Sequence, residues 1–449
     1  MSSWPETRAR HGAGAAPDTS AEDAPNTDTS GGRGGGGRKA LSALALSVAT
    51  WRRASLVLLA CFACAVLDGY DVQVISYAIP EMAREWSVPL SRFGIVFSAG
   101  LVGLVAGSLF LAPLADRHGR RKIIVLAVFG AGVATFANAL VQNVEWLLLC
   151  RVFVGLTMGI ITALVVAIAF EAAPERHRAL AVAIVVTGFS LGNMASGMVA
   201  AVVLPRYGWE ALFLGAAAFA LFVAVLFAVC PFGTPAVAAT SRVGHRGAIR
   251  ALMSREFASL TLIVWLLHFG GVGANYLLLS WLPSLLTRSG YLTSDAAFMT
   301  SLISFGGLFG GVLAGFLLSR FGLRWLLVCY GTAFSLIALL PFFFHSDVLP
   351  VMHVMIGVCL VGGYVCNNIV TSEVYPADLR ASGLGWAQGI GRTGSILSPL
   401  LVSLALALEA PNQTILLIAA VFPFLSAWAI FLLMRQASIG IRSGKMRRT

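Results

Sequence analysis

The stretch Ala112-Pro-Leu-Ala-Asp116-Arg117-His-Gly119-Arg120-Arg121-Lys122 is a short charged loop between two long apolar segments. A related stretch, Gly315-Phe-Leu-Leu-Ser319-Arg320-Phe-Gly322-Leu-Arg324, occurs in the second half of the chain, and it also separates two apolar segments. Glycine permits a tight turn in such a loop, because it adopts backbone angles that other residues avoid. Two matching loops in matching surroundings predict that the chain consists of two related halves.

The surrounding sequence supports this duplication. Identities at a shift of 202 or 203 residues include these pairs: Pro80 and Pro283, Gly103 and Gly306, Gly107 and Gly310, Arg117 and Arg320, Gly155 and Gly357, Glu171 and Glu373, Arg178 and Arg380, Gly192 and Gly394. In membrane proteins, a parallel repeat places two helical bundles side by side, with the substrate site between them near the middle of the membrane. We therefore expect functional residues where the two halves differ.

Composition places these halves in a membrane. The chain is 58% hydrophobic and only 11% charged, whereas about a quarter of the residues of a soluble domain are charged. A membrane-spanning helix needs about 20 mostly apolar residues. Twelve segments qualify: 54–79, 93–114, 122–141, 146–170, 179–204, 210–231, 257–286, 296–319, 324–345, 350–372, 380–407 and 412–435. The predicted fold is all-α and integral to the membrane, with twelve transmembrane helices in two six-helix bundles.

Domain boundaries follow from the hydrophilic breaks between these segments. We predict a disordered cytoplasmic tail over residues 1–48, because its Gly, Ser, Asp and Pro content leaves nothing to bury. An N-terminal bundle over 49–231, a central cytoplasmic loop over 232–256 and a C-terminal bundle over 257–435 follow, and a basic cytoplasmic tail over 436–449 ends the chain.

The positive charges are distributed unevenly among the loops. Of the 31 Lys and Arg, 25 lie in the tails and in the loops on the same side as the tails, four lie in the opposite loops, and two lie inside helices. By the positive-inside rule, both termini are cytoplasmic. The net charge of +11 is therefore assigned to membrane orientation and lipid contact rather than to nucleic acid.

Other functional classes find no support in the sequence. The seven Cys form no disulfide pattern, and Cys61 and Cys64 lie within an apolar helix, where packing is the simpler interpretation. The sequence contains no phosphate loop, no catalytic motif of a membrane enzyme and no metal-binding cluster. We expect neither an enzyme nor a cofactor.

The duplicated loop resembles the signature of the major facilitator superfamily, G-x-x-x-D-R-x-G-R-R/K, with Ala112 at the first glycine and Ser319 at the aspartate of the second copy. Three further stretches are similar to the aromatic acid:proton symporter family: Asp68-Gly-Tyr70-Asp71, Tyr276-Leu-Leu-Leu-Ser-Trp-Leu-Pro283 and Gly385-Trp386-Ala-Gln388-Gly-Ile-Gly-Arg392-Thr-Gly-Ser395. The resemblance implies a proton-coupled importer of a small aromatic carboxylate, such as a benzoate or hydroxybenzoate, in the bacterial inner membrane. We expect this importer to be a monomer. Alternatives are an importer of another organic acid, such as muconate, and a drug:proton antiporter.

Four charged residues lie well inside the predicted helices: Asp68, Asp71, Arg151 and Arg392. Charges at membrane depth are costly and usually functional. Asp68 and Asp71 share one helix face, and two such close carboxylates do not both stay ionised at low cost. We therefore assign proton coupling to Asp68 and Asp71, and the resemblance implies that Arg151 takes part in it. The alternative for this group is a static ion pair between the first helix and Arg151.

Arg392 is the candidate for binding the substrate carboxylate, because its planar guanidinium engages two oxygens at once. Its position corresponds to Ser190 in the first half, so the repeat is broken there. Other candidates for substrate contact are polar or aromatic residues at helix faces: Gln388, Ser395, Tyr70, Asn275, Tyr276, Asn367 and Trp386. The alternative for each is a contact between neighbouring helices.

Charged residues at the duplicated loops are candidates for a gate on the cytoplasmic side. They are Asp116, Arg117, Arg120, Arg121, Glu171, Arg178, Arg320, Glu373 and Arg380. Acidic and basic residues at packed helix ends can pair when that side is closed and separate when it opens. The alternative is that these charges only set the topology.

Overall fold

The computed structural model describes residues 35–230 and 245–442. Two units are distinguished, Met1–Trp51 and Arg52–Thr449, and all twelve candidate membrane spans lie in the second. The first helix begins at Gly35, within the tail for which we predicted disorder. The remainder of that tail, residues 1–34, lies outside the described residues, as do 231–244 and 443–449.

Helices dominate the described residues, which contain no β-strand. The twelve long helices are α1 Gly35–Glu85, α2 Gly94–Ala106, α3 Arg120–Asn138, α4 Val144–Ala172, α5 Arg178–Tyr207, α6 Glu210–Val229, α7 Ala258–Arg288, α8 Thr293–Phe321, α9 Leu323–Leu339, α10 Leu349–Val374, α11 Ala377–Ala407 and α12 Asn412–Arg442. Each contains a stretch long and apolar enough to cross a membrane, with α2 and α9 extended by the short helical turns beside them. The predicted twelve transmembrane helices are confirmed.

Glycines set the closest helix contacts within each half. A Cβ atom on Gly155 of α4 would lie 2.0 Å from the Gly100 carbonyl oxygen of α2. The equivalent glycine of the second half, Gly357 of α10, would place a Cβ 1.9 Å from the Ile303 carbonyl oxygen of α8. Small residues allow such approach between membrane helices. The repeat seen in the sequence is therefore also a repeat of helix packing.

The duplicated loops make equivalent turns. Gly119 has φ of 89° and Gly322 has φ of 64°, the left-handed region that favours glycine. Each turn directly precedes a helix, α3 in the first half and α9 in the second. The end of the bundles that carries these two turns is called the basic end here, and the other is called the opposite end.

The two bundles contact each other on the half nearer the opposite end. Helix α2 packs against α11 and α5 packs against α8. The Ser98 hydroxyl of α2 donates to the Ile396 carbonyl oxygen of α11 at 2.7 Å. The Gln73 amide of α1 donates to the Leu279 carbonyl oxygen of α7 at 2.8 Å. These contacts close the space between the bundles at the opposite end.

Towards the basic end the bundles separate. Gly385 and Gly389 lie on the face of α11 that also carries Arg392, and no atom of the described residues lies within 4 Å of where their Cβ atoms would be. Nearer the opposite end, by contrast, a Cβ on Gly94 of α2 would lie 2.3 Å from the Ser403 side chain of α11. The protein is therefore in a conformation that is closed at the opposite end and open at the basic end.

Candidate functional site

Asp71 of α1 and Arg151 of α4 form a buried ion pair. The Arg151 Nη1 atom lies 3.2 Å from Asp71 Oδ2, and Nη2 donates to the Asp71 backbone oxygen at 3.2 Å. The Thr135 hydroxyl of α3 donates to Asp71 Oδ1 at 3.1 Å. Asp71 is 1% exposed and Arg151 6%. Both carboxylate oxygens are thus satisfied, so this pair matches the ion-pair alternative raised from the sequence.

Asp68, one helical turn away, is placed differently. Its Oδ2 atom accepts a hydrogen bond from the Thr162 hydroxyl of α4 at 3.1 Å. Its Oδ1 atom is buried and has no hydrogen-bond partner among the described residues. Between the two aspartates, Gly69 lets α1 approach α5 closely, since a Cβ there would lie 2.0 Å from the Phe189 carbonyl oxygen. Asp68 is therefore a buried acid that forms no ion pair in the described part of the chain, although the charge of Arg392 is near enough to act on it.

Arg392 of α11 faces a cavity between the bundles. No ion pair or side-chain hydrogen bond of its guanidinium is found among the described residues. The cavity is lined by Leu101, Val105, His268, Val272, Tyr276, Tyr364, Gln388, Arg392 and Ser395. Gln388 donates from Nε2 to Asn368 Oδ1 at 3.1 Å. This cavity combines a cation with two phenol rings, a composition suited to an aromatic anion.

A second cavity lies beside the first and shares Leu101 and Tyr276 with it. Its polar lining includes the Asp71–Arg151 pair and the amides of Gln73, Asn193 and Asn275. The two cavities are called the Arg392 cavity and the Asp71 cavity below. Together they place Asp71, Arg151 and Arg392 around one region between the bundles, whereas Asp68 lines neither cavity.

Five of the predicted substrate residues line these cavities and three do not. Arg392, Gln388 and Ser395 line the Arg392 cavity, Asn275 lines the Asp71 cavity, and Tyr276 lines both. The remaining three, Tyr70, Asn367 and Trp386, lie in contacts between helices.

Each of these three residues has a packing partner. The Tyr70 hydroxyl donates to the Leu212 carbonyl oxygen of α6 at 3.5 Å. Asn367 is fully buried and accepts from the Tyr330 hydroxyl at 3.0 Å. Trp386 lies beside Trp265, with ring centroids 6.3 Å apart. These side chains match the interhelical alternative that the sequence left open.

Predicted gating residues of the first half form a local network at the basic end. Arg120 pairs with Glu171 of α4 and lies 3.7 Å from Asp116. Arg178 lies 3.6 Å from Glu175 and above the Phe170 ring. Arg121 donates to the Ala228 carbonyl oxygen, and Arg117 is exposed.

The corresponding residues of the second half are arranged differently. Glu373 is exposed beside a cleft lined by Gly315, Ser319 and Gly322. The position equivalent to Arg120 is Leu323, which removes the basic partner that Glu171 has in the first half. Arg320 lies over the Phe321 ring at 5.8 Å, and Arg380 is exposed. The two copies of the charged loop are therefore not equivalent in structure.

Several site residues were missed by the sequence reasoning: Gln73, Thr135, Thr162, Asn193 and Tyr364. Thr135 and Thr162 hold the aspartates, and their sequence context is that of any threonine in an apolar helix. Asn193 carried a usable signal, because at the 202-residue shift it aligns with Ser395, next to the break between Ser190 and Arg392.

Comparison with known proteins identifies the family. The profile of the Major Facilitator Superfamily matches residues 61–399 and 290–446. The chain belongs to the Major Facilitator Superfamily. Its resemblance to the aromatic acid transporters within that superfamily is confirmed by its relatives, and the protein is a transporter rather than an enzyme.

Two of these relatives cover most of the chain. The 4-hydroxybenzoate transporter PcaK of Pseudomonas aeruginosa is 32% identical over 400 residues, covering 80% of this chain and 86% of the relative. The gallate transporter of Pseudomonas putida is 29% identical over 406 residues, covering 84% of this chain and 90% of the relative.

Solved structures share the fold of this transporter. A bacterial homolog of the human lysosomal transporter Spinster, in an inward-facing and unoccupied conformation, matches with a TM-score of 0.73 at 19% identity, covering 85% of this chain and 97% of that one. A D-xylose-proton symporter matches with a TM-score of 0.66 at 18% identity, covering 84% of this chain and 96% of that one. At these identities the likeness concerns the fold.

Proposed function

We propose that the transporter is a proton-coupled symporter that imports a small aromatic carboxylate, such as a benzoate or hydroxybenzoate, by alternating access. The observation that carries this proposal is the Arg392 guanidinium, which faces a cavity between the bundles and forms no ion pair among the described residues. A cation at membrane depth is costly without a paired counter-ion. A substrate carboxylate supplies that charge, and relatives that carry aromatic acids support this substrate class.

The carboxylate binds to Arg392 through two parallel hydrogen bonds, the geometry that a guanidinium favours. Gln388 and Ser395 lie on the same helix and line the same cavity, so their polar groups help to orient the carboxylate. The aromatic ring of the substrate then lies beside Tyr276 and Tyr364, which line the cavity from α7 and α10. Ring edges and faces pack favourably in such an arrangement.

Proton coupling belongs mainly to Asp68. Asp71 is neutralised by Arg151, whereas Asp68 has one buried oxygen without a partner among the described residues. A carboxyl group in such surroundings binds and releases a proton as its access to water changes. Thr162 holds the Asp68 side chain in place through the opposite oxygen. The ion pair of Asp71 and Arg151 keeps α1 and α4 together during this change.

The transport cycle follows from these assignments. The basic end is the cytoplasmic end, as the distribution of Lys and Arg indicates, and the membrane is the bacterial inner membrane. Proton and substrate enter while the opposite end is open, and both leave from the conformation described here. The gate at the basic end includes the charged residues around Asp116 and Glu171, with weaker counterparts near Glu373.

Uptake into liposomes tests this function. Purified full-length protein should accumulate radiolabelled 4-hydroxybenzoate when the external pH is lower, and a protonophore should abolish the accumulation. Replacing Arg392 with Gln should raise the Kd for the anion by about 30-fold or more, since losing one partner of a buried charge pair costs at least about 2 kcal/mol. Arg392→Lys is the matched control, which keeps the charge and should retain part of the affinity. Wild-type affinity in Arg392→Gln would contradict the proposal.

A further inference from the structure

The Asp71 cavity contains two asparagine side chains with unused hydrogen-bonding groups. Asn193 extends from α5 of the first bundle and Asn275 from α7 of the second. The Oδ1 atom of each is buried and has no hydrogen-bond partner among the described residues. Asn193 is only 5% exposed. Buried polar atoms are normally hydrogen-bonded, so these two amide oxygens favour a polar occupant of the cavity.

The chemistry of the two amides limits what that occupant is. Each amide offers an acceptor oxygen and a donor NH₂ group, and no hydrogen bond of either group is found among the described residues. A hydroxyl group both donates and accepts, and therefore satisfies either orientation of either amide. A second carboxylate only accepts, and the nearby Arg151 is already paired with Asp71. The site therefore favours a hydroxyl over a second acid group.

The internal repeat supports a binding role for this position. At the 202-residue shift, Ser190 and Asn193 of α5 correspond to Arg392 and Ser395 of α11. Asn193 lines the Asp71 cavity, and its counterpart Ser395 lines the Arg392 cavity. Equivalent positions of the two bundles thus face two adjoining cavities with different polar groups. This is the asymmetry expected when each half contributes a different contact to one ligand.

We infer that Asn193 and Asn275 form a receptor for a hydroxyl group on the aromatic ring, so that the transporter selects ring-hydroxylated aromatic acids. The inference rests on the proposed function, in which Arg392 binds the carboxylate. Tyr276 lines both cavities, so a ring that binds beside it directs its hydroxyl towards the two amides. A hydroxyl at the meta or para position reaches the Asp71 cavity, whereas an ortho hydroxyl stays beside the carboxylate.

Binding measurements with four acids test the inference. Purified full-length protein should bind 3- or 4-hydroxybenzoate about three- to tenfold more tightly than benzoate and 2-hydroxybenzoate, the value of one hydrogen bond. In Asn193→Leu and Asn275→Leu this ratio should fall to about one, because leucine keeps the volume and removes the amide. Asn138→Leu is the matched control: Asn138 is also buried with an unpartnered Oδ1, lines neither cavity, and should keep the wild-type ratio.

The outcomes separate this inference from the proposed function. If none of the four acids binds, the proposed function fails. If the acids bind but the wild-type ratio is about one, or if both leucine variants keep it, the hydroxyl receptor is wrong. Loss of the ratio in Asn138→Leu also overturns it. If the leucine variants do not fold, a measurement on wild-type protein still tests the inference. 4-Methylbenzoate, which matches 4-hydroxybenzoate in size, should bind as weakly as benzoate. If 4-methylbenzoate bound as tightly as 4-hydroxybenzoate, the hydroxyl receptor would be wrong.

Discussion

At the scale of single residues, two aspartates three positions apart on α1 have different surroundings. Asp71 has a buried arginine and a threonine hydroxyl as partners, while Asp68 has one threonine and an oxygen without a partner among the described residues. The sequence assigned proton coupling to both, with a static ion pair as the alternative for the group. We propose that these roles divide, with Asp71 in the ion pair and Asp68 as the candidate for proton transfer.

We predict that Asp71→Asn lowers stability by about 3–5 kcal/mol, because it leaves the Arg151 charge buried without a partner. Asp68→Asn should preserve stability, because an amide accepts the Thr162 hydrogen bond as a carboxyl does, yet it should abolish proton-driven accumulation while substrate exchange continues. Thermal unfolding, monitored by tryptophan fluorescence, measures the stability of both variants. Liposome uptake measures proton-driven accumulation and substrate exchange.

The double variant Asp71→Asn with Arg151→Gln is the control for this pair of predictions. It removes the Arg151 charge as well as the Asp71 charge, so no unpaired buried charge is left and part of the lost stability should return. A greater loss of stability in Asp68→Asn than in Asp71→Asn would reverse the roles assigned here.

At the scale of helices, the repeat appears as equivalent close contacts. Gly155 on α4 and Gly357 on α10 correspond to each other in the two halves, and each lies against a backbone carbonyl of its neighbour. A backbone atom cannot be displaced as a flexible side chain can. The helix pairs α2–α4 and α8–α10 therefore depend on glycine at these positions.

We predict that Gly155→Ala and Gly357→Ala each destabilise the protein by about 1–3 kcal/mol, the usual effect of overpacking. Gly215→Ala on α6 is the control, because no atom of the described residues lies within 4 Å of its Cβ position; it should be neutral or stabilising, since alanine favours helix. The melting temperature in detergent reports these changes. Equal melting temperatures for all three variants would show that the close contacts contribute little.

At the scale of the whole molecule, the closed opposite end depends on small residues where the bundles meet. A Cβ on Gly197 of α5 would lie 2.6 Å from the Ser301 side chain of α8 and 2.9 Å from the Ala297 oxygen. A larger side chain cannot fit between α5 and α8 unless the bundles move apart there. The conformation open at the basic end should therefore be sensitive to this one position.

We predict that Gly197→Leu shifts the population towards a conformation open at the opposite end. Tyr207 and Leu292 are exposed residues near that end, in different bundles. Spin labels at these two positions should then show a longer distance in pulsed electron paramagnetic resonance. Gly215→Leu is the control and should keep the original distance distribution. An unchanged distribution in Gly197→Leu would mean that the gate closes through other contacts.

The sequence by itself determined the number of helices, their approximate ends, the duplication and the family. The number of helices and their ends follow from local hydropathy. The duplication and the family follow from short motifs such as Asp116–Arg121 and Asp68–Asp71, which are recognised in the sequence without information on their spatial neighbours. Only the tertiary structure decided which polar residues face the space between the bundles. Asn367 and Trp386 lie in contacts between helices, whereas Asn193 lines a cavity. The physical reason is that a membrane helix is apolar on nearly all sides, so its composition does not distinguish the face towards a neighbour from the face towards a cavity; only the packing of the other helices does.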